Sequence, residues 1–230
     1  MTLDGSRRLS ACALAMALMA APAIARAHAG QAGWHLPGEV NFLDPAPIDG
    51  IGYDWTVEIV RGGVASLVGT AEAKSWNEPS FPEDLKGSSK GVQWIALDLV
   101  TPAKLLIVLE RQQGVLYQTI GGSTMARGEL TPAMSLYRGW DETSESEQEA
   151  FDNAGSFWAP LDYLENAPNP KSRSRVILRT KLLTQGHYTI AVGGNPKVLQ
   201  SYPAGDCDPL DQICYAYTGR HGYKLTIYAK

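Results

Sequence analysis

Apolar and polar positions alternate at period two through much of the C-terminal half. Tyr188, Ile190 and Val192 fall on one face, and His187, Thr189 and Ala191 on the other. Upstream, Val176, Leu178, Thr180 and Leu182 alternate with Ile177, Arg179, Lys181 and Leu183. Thr184-Gln185-Gly186 separates the two runs, and a Gly-containing turn between alternating runs predicts a hairpin. Gly193-Gly194-Asn195-Pro196 is expected to stop the second strand. A last run, 222–228, predicts a C-terminal strand. Earlier runs predict strands over 55–60, 64–73, 92–99, 104–112, 115–120 and 133–137. Gly62-Gly63 and Thr101-Pro102 are the turns between the first and second pairs. Strands at about ten-residue spacing with Gly/Pro punctuation predict an all-β fold, an antiparallel β-sandwich.

Two stretches break the rhythm. Residues 28–54 are rich in Gly and Pro and read as an extended arm with loops and an edge strand. Residues 141–175 form an insertion whose acidic first part, through Phe151, predicts a short helix capped by Thr143 or Ser144. A long insertion in a compact fold is either functional or a solvated cover over a sheet edge.

The N-terminus is of a different kind. Arg7-Arg8 precedes an apolar run from Leu9 to Ala25, and Ala25-Arg26-Ala27 and Ala27-His28-Ala29 are small-x-small cleavage patterns. Residues 1–27 read as a secretory signal peptide and 28–230 as one sandwich domain, exported to the periplasm or cell surface of a bacterium. The whole chain carries 24 acidic and 20 basic residues, net −4. Removing Arg7, Arg8, Arg26 and Asp4 with the signal makes it −6. An acidic balance argues against a nucleic-acid partner. No later apolar run approaches about 20 residues, so no transmembrane helix is expected after cleavage. The sequence leaves a protein partner unknown.

Candidate chemistry is sparse. Cys12 leaves with the signal, and Cys207 and Cys214 are expected to pair as a disulfide in an oxidising compartment, worth about 2–3 kcal/mol in the loop-entropy picture. The alternative for the pair is metal ligation by thiolate, without a nearby His at zinc spacing. There is no His-Glu-x-x-His, no catalytic residues are assigned, and the chain is read as a binding protein. The histidines are His28, His35, His187 and His221. Cleavage after Ala27 would make His28 the first residue, offering an α-amine and an imidazole together, a set suited to copper. Cleavage after Ala29 would delete it. Taken singly, each of the others reads as an ordinary surface or edge residue. Two meeting at one end of the sandwich would form a metal site, with a neighbouring Trp as shield. Calcium is the alternative ion, on oxygens from Asp141, Glu142, Asp152, Asn153 and Asp162, although no EF-hand spacing is present. A metal-free interaction or glycan-binding surface on Trp140 and Trp158, or an oxidase built on an N-terminal His copper brace, are the other readings.

Two resemblances attach to these residues. The stretches 133–139 and 186–194 look like strands of pre-peptidase C-terminal β-sandwich modules, a jelly-roll-like architecture. Ser75-Trp76-Asn77, 93–97, the acidic insertion and 186–195 resemble the copper-repressible, surface-associated copper-binding proteins of methanotrophs. That resemblance implies copper held outside the cytoplasm by His side chains, with an oxidised Trp (kynurenine) as a further ligand. Mapped onto this chain, it implies His28 and His35 as ligands, completed by His187 or His221. Trp34 would stand beside the metal, and Trp76 is the second candidate for the modified indole.

Overall fold

The alternating runs pair into two sheets stacked face to face. The computed structural model describes residues 34–35, 40–43, 52–76, 91–119, 122–141, 161–171, 173–195 and 219–230, with the backbone alone at 34–35, 40–43 and 119. Among these, 13 strands are numbered in chain order. One sheet has the order β1 (Trp34–His35), β4 (Val64–Glu72), β13 (Arg220–Ala229), β6 (Ala103–Arg111), β11 (Arg175–Leu183). The other has the order β10 (Asp162–Ala167), β9 (Pro132–Arg138), β12 (Gly186–Gly194), β5 (Gln93–Leu99), β3 (Trp55–Ile59), β2 (Val40–Leu43). A two-stranded ribbon, β7 (Leu116–Thr119) and β8 (Gly122–Met125), stands apart. The fold is the all-β sandwich read from the sequence. The helix expected at 141–151 falls outside the described residues except for Asp141, as do His28, Trp158, Cys207 and Cys214.

Period-two alternation builds the core. Leu105, Ile107 and Leu109 of β6 and Leu225 and Ile227 of β13 face Ile95, Leu97 and Leu99 of β5 and Ile190 and Val192 of β12. Each such side chain contributes about 1.5–3 kcal/mol on burial. β13 lies between β4 and β6, so its main chain is paired on both sides. Among the described residues, no helix is long and apolar enough to cross a membrane.

The connections correct the predicted hairpin. β11 pairs with β6, whereas β12 pairs with β5 and β9 in the opposite sheet. The turn at 184–185 therefore carries the chain across the sandwich instead of folding it back within one sheet. Leu178 and Leu183 before the turn, and Tyr188 and Ile190 after it, meet in one core from its two sides. Gly186 takes φ of 143°, a region that favours glycine, as β12 begins. The 60–63 and 100–102 turns are crossings of the same kind, each linking a strand of the six-stranded sheet to one of the five-stranded sheet. Because the chain visits the other sheet between them, β3 and β5 re-enter in the same direction and pair in parallel, whereas the other strand pairs among the described residues are antiparallel. β10 is a strand inside the predicted insertion. Its pairing with β9 is interrupted by a bulge between Tyr163 and Glu165, which explains its lack of clean alternation.

Gly193 and Gly194 do not stop β12 but extend it, pairing with Ala133 and Pro132. The outer face of the six-stranded sheet is buried too. Trp94 and Ala96 of β5, Ala133 and Tyr137 of β9 and Ala191 of β12 point away from the first core and form a second, with Tyr53, Trp76, Val92 and Leu161 laid over them.

Glu72, at the end of β4, faces Arg220 of β13 in register. Burial pushes its carboxyl above the ordinary 4.5, and Arg220 pulls the other way with smaller effect. The folded chain thus holds this proton to higher pH than the unfolded chain, so the group lowers stability as pH rises through the window above 4.5. Glu72→Gln removes that dependence. Urea midpoints at about pH 4 and about pH 8 should show wild type losing ground to the variant as pH rises. A wild type that gains on the variant over that range would reverse the assignment.

Candidate functional site

A chain of hydrogen bonds fixes the segment after β9. The Thr189 hydroxyl donates to the Gly139 carbonyl at 2.7 Å. With that hydrogen used, the Tyr53 hydroxyl is the donor in its 2.9 Å contact with Thr189 Oγ1. Tyr53 Oη in turn accepts the Asp141 N–H at 2.7 Å. Gly139 N–H donates to the His187 carbonyl at 2.9 Å. Residues 139–141 are therefore pinned on both sides of Trp140. Its indole N–H donates to the Tyr188 carbonyl at 3.0 Å.

Trp140 consequently lies flat against His187. The rings are 3.7 Å apart between centroids and inclined by 3°. His187 opens β12 and is exposed, so one face of its imidazole rests on the indole while its edge meets solvent. Across the outer face of the sheet, His187 stands opposite Asp98 of β5, Asp98 opposite Glu58 of β3, and Glu58 opposite Asn41 of β2. Neighbouring strands lie about 4.8 Å apart, so this register lines an imidazole and two carboxylates across three strands. Sequence reading missed Asp98 and Glu58. Their signal was faint: each is the acid in a run of otherwise apolar or neutral residues, 93–99 and 55–60. Among the described residues, no three His, Cys, Asp or Glu side chains are gathered closely enough to hold one ion as they stand.

The predicted ligands are divided by the fold. His35 pairs with Ala65 near the start of β4, at the sandwich end formed by the 60–63, 100–102 and 184–185 turns. His187 is at that same end, in the other sheet. His221 pairs with Ala71, six residues further along β4, about 20 Å away at strand rise. It is 1% exposed, and its Nδ1 accepts the Glu129 N–H at 3.2 Å. A metal at Nδ1 would have to displace that bond. Trp34 is on β1 opposite Ser66. Trp76, the second candidate for a modified indole, is fully buried with its N–H donated to Ser135 Oγ at 2.9 Å. Among the described residues His187 stacks with Trp140, a pair 47 apart in sequence that carried no local signal.

No family model matches the chain, and no curated protein matches it. Among solved structures, it is similar to CorA, a surface-associated copper-binding protein of Methylomicrobium album BG8 (11% identity, TM-score 0.39, covering 72% of this chain and 93% of that one). It is also similar to the secreted protein MopE of Methylococcus capsulatus, in which an oxidised tryptophan facilitates copper binding (9% identity, TM-score 0.38, 72% and 84% covered). A third is the pre-peptidase C-terminal domain of a Bacillus anthracis collagenase (7% identity, TM-score 0.32, 80% and 99% covered). At these scores the likenesses carry no assignment of ligand.

Proposed function

We propose that this chain is an exported copper-binding protein, and that the ion sits on the outer face of the six-stranded sheet beside His187. The observation carrying this reading is the exposed His187 imidazole held parallel to Trp140 at 3.7 Å, with Asp98 next to it in register. A mixed nitrogen and oxygen set suits Cu(II) in a tetragonal arrangement. His28 would supply an α-amine if it heads the exported chain. The signal-peptide pattern supports a location where such a protein would meet copper before the cytoplasm does. The metal-free glycan reading loses ground at Trp140, since one face of the indole is already covered by His187.

Cu(II) titration of the exported chain, followed by tryptophan fluorescence and electron paramagnetic resonance, tests this. His187→Ala should weaken binding by about tenfold or more, equivalent to about 1.4 kcal/mol. Asp98→Asn should shift the spectrum, and Trp140→Phe should remove much of the quenching. A second variant, His28→Ala with His35→Ala, tests the ligands read from the sequence. Unchanged affinity and stoichiometry in both the His187 variant and this pair would discard these ligands, and absence of saturable Cu(II) binding to the wild-type chain would discard copper.

A further inference from the structure

Away from that face, the chain's charge is unevenly placed. It is acidic overall, yet 171–181 holds Lys171, Arg173, Arg175, Arg179 and Lys181 with no acid, a quarter of its 20 Lys and Arg. This stretch runs into and along β11, the last strand of the five-stranded sheet. Among the described residues β11 has a hydrogen-bonded neighbour on one side, β6. Its other edge turns alternate N–H and C=O groups outward. Arg175, Ile177 and Arg179 are exposed on one face at period two, and Lys181 is exposed within the register shift between Arg179 and Leu182. Arg175 reaches Glu110 at 3.7 Å, an exposed pair of small energetic weight.

Beside this edge lies an open groove of about 820 Å³, lined by the 167–171 loop and by Arg173, Arg175, Val176, Ile177 and Arg179. Its wall is built. Asn169, 5% exposed with φ of 53°, donates from Nδ2 to the Arg173 carbonyl at 2.7 Å and accepts the Arg173 N–H at 2.9 Å. Asn195 Nδ2 donates to the Pro168 carbonyl, tying the same loop to the end of β12. The cations are therefore presented from a fixed frame.

We infer that the free edge of β11 docks an extended acidic segment of a partner protein as an added strand. The occupant follows from two complementarities that must hold together. An open strand edge is matched by another peptide backbone, which supplies the missing main-chain partners. Same-face positions repeat every 6–7 Å or so along both strands, so alternate Glu or Asp residues on the incoming strand would stand opposite Arg175 and Arg179, with Arg173 just before the strand. A sulfated glycan or an anionic lipid surface would satisfy the cations but not the backbone. This inference goes beyond copper binding and uses none of its residues, so either can fail alone.

The test is fluorescence anisotropy of the exported chain with a labelled peptide of about nine residues alternating Glu and Val, the length of β11. Saturable binding is expected at low salt. Arg173→Glu with Arg179→Glu, both exposed, should weaken it by about tenfold or more while circular dichroism and the melting temperature stay unchanged. Two further peptides, N-methylated at every Glu or at every Val, separate backbone pairing from charge. One alternate set must face β11, so one of the two peptides should lose binding. Absence of saturable binding would overturn the proposal, as would equal binding of all three peptides. Tighter binding of heparin or of phosphatidylglycerol vesicles than of the peptide, abolished by the same double substitution, would also overturn it.

Discussion

Trp76→Ala is expected to destabilise the chain by about 3–5 kcal/mol, the largest effect of any single substitution considered. The indole is fully buried in the second core, over β9 and β12. Two losses combine. Removing the ring leaves a cavity that Trp94, Ala133, Tyr137 and Ala191, held by their own strands, cannot collapse to fill. It also strips the donor from Ser135 Oγ, a buried hydroxyl on β9. Trp76→Phe separates the terms, keeping much of the volume and losing the hydrogen bond, for roughly 1–2 kcal/mol. Urea unfolding followed by circular dichroism gives both values. A cost under about 1 kcal/mol for the alanine variant would show that the outer layer adds little to the fold.

Gly194→Ala is expected to cost about 1–3 kcal/mol or more, although it adds a single methyl group. A Cβ at Gly194 would run into the Ala73 carbonyl and lie 2.7 Å from Ala73 Cα, which is backbone and not a side-chain tip that can swing away. The collision would push β12 off the 73–76 turn. That docking is made by the Trp76 N–H donating to the Gly194 carbonyl at 3.0 Å and by the Gly194 N–H donating to Ser75 Oγ at 3.2 Å. At this chain length a loss of 1 kcal/mol lowers the melting temperature by about 2–4 °C. Because Trp76 sits on the same turn, Gly194→Ala and Trp76→Ala should be less than additive by about 0.5 kcal/mol or more. Full additivity would mean that the glycine contact and the indole act separately, against the geometry of the turn.

The roles of these two residues show where sequence pattern runs out. Trp76 stood just after a predicted strand, and its burial depends on β9 and β12, which arrive tens of residues later. Gly193-Gly194 has the local chemistry of a strand terminator. The close approach of Ala73 gives it a different use, as space for a neighbouring backbone. The hairpin misreading has the same origin. Alternation reports which side chains share a face, and a turn residue reports a reversal, but neither says whether the reversal stays in one sheet or crosses to the other. Tyr188 and Ile190 look identical in both cases.

The candidate site was legible only in its parts. His187 was visible as a polar residue opening a strand, and Trp140 as an aromatic before the acidic stretch. Their stacking depends on the Thr189–Tyr53–Asp141 hydrogen bonds, which link three separate segments. Asp98 and Glu58 meet in register through the parallel β3–β5 pair, and a parallel pair leaves no turn signal between its strands.

By itself, the amino-acid order determined the all-β class and the approximate bounds of most strands, and its N-terminus carries a leader-like pattern. These follow from short-range rules: period two, turn residues, and the length of an apolar run. Strand order, the crossings between sheets, the buried outer layer, the place of basic β11 at a sheet edge among the described residues and the meeting of His187 with Trp140 were decided by tertiary structure alone. Each depends on which distant segment covers which face, and that choice is made by packing the whole chain at once.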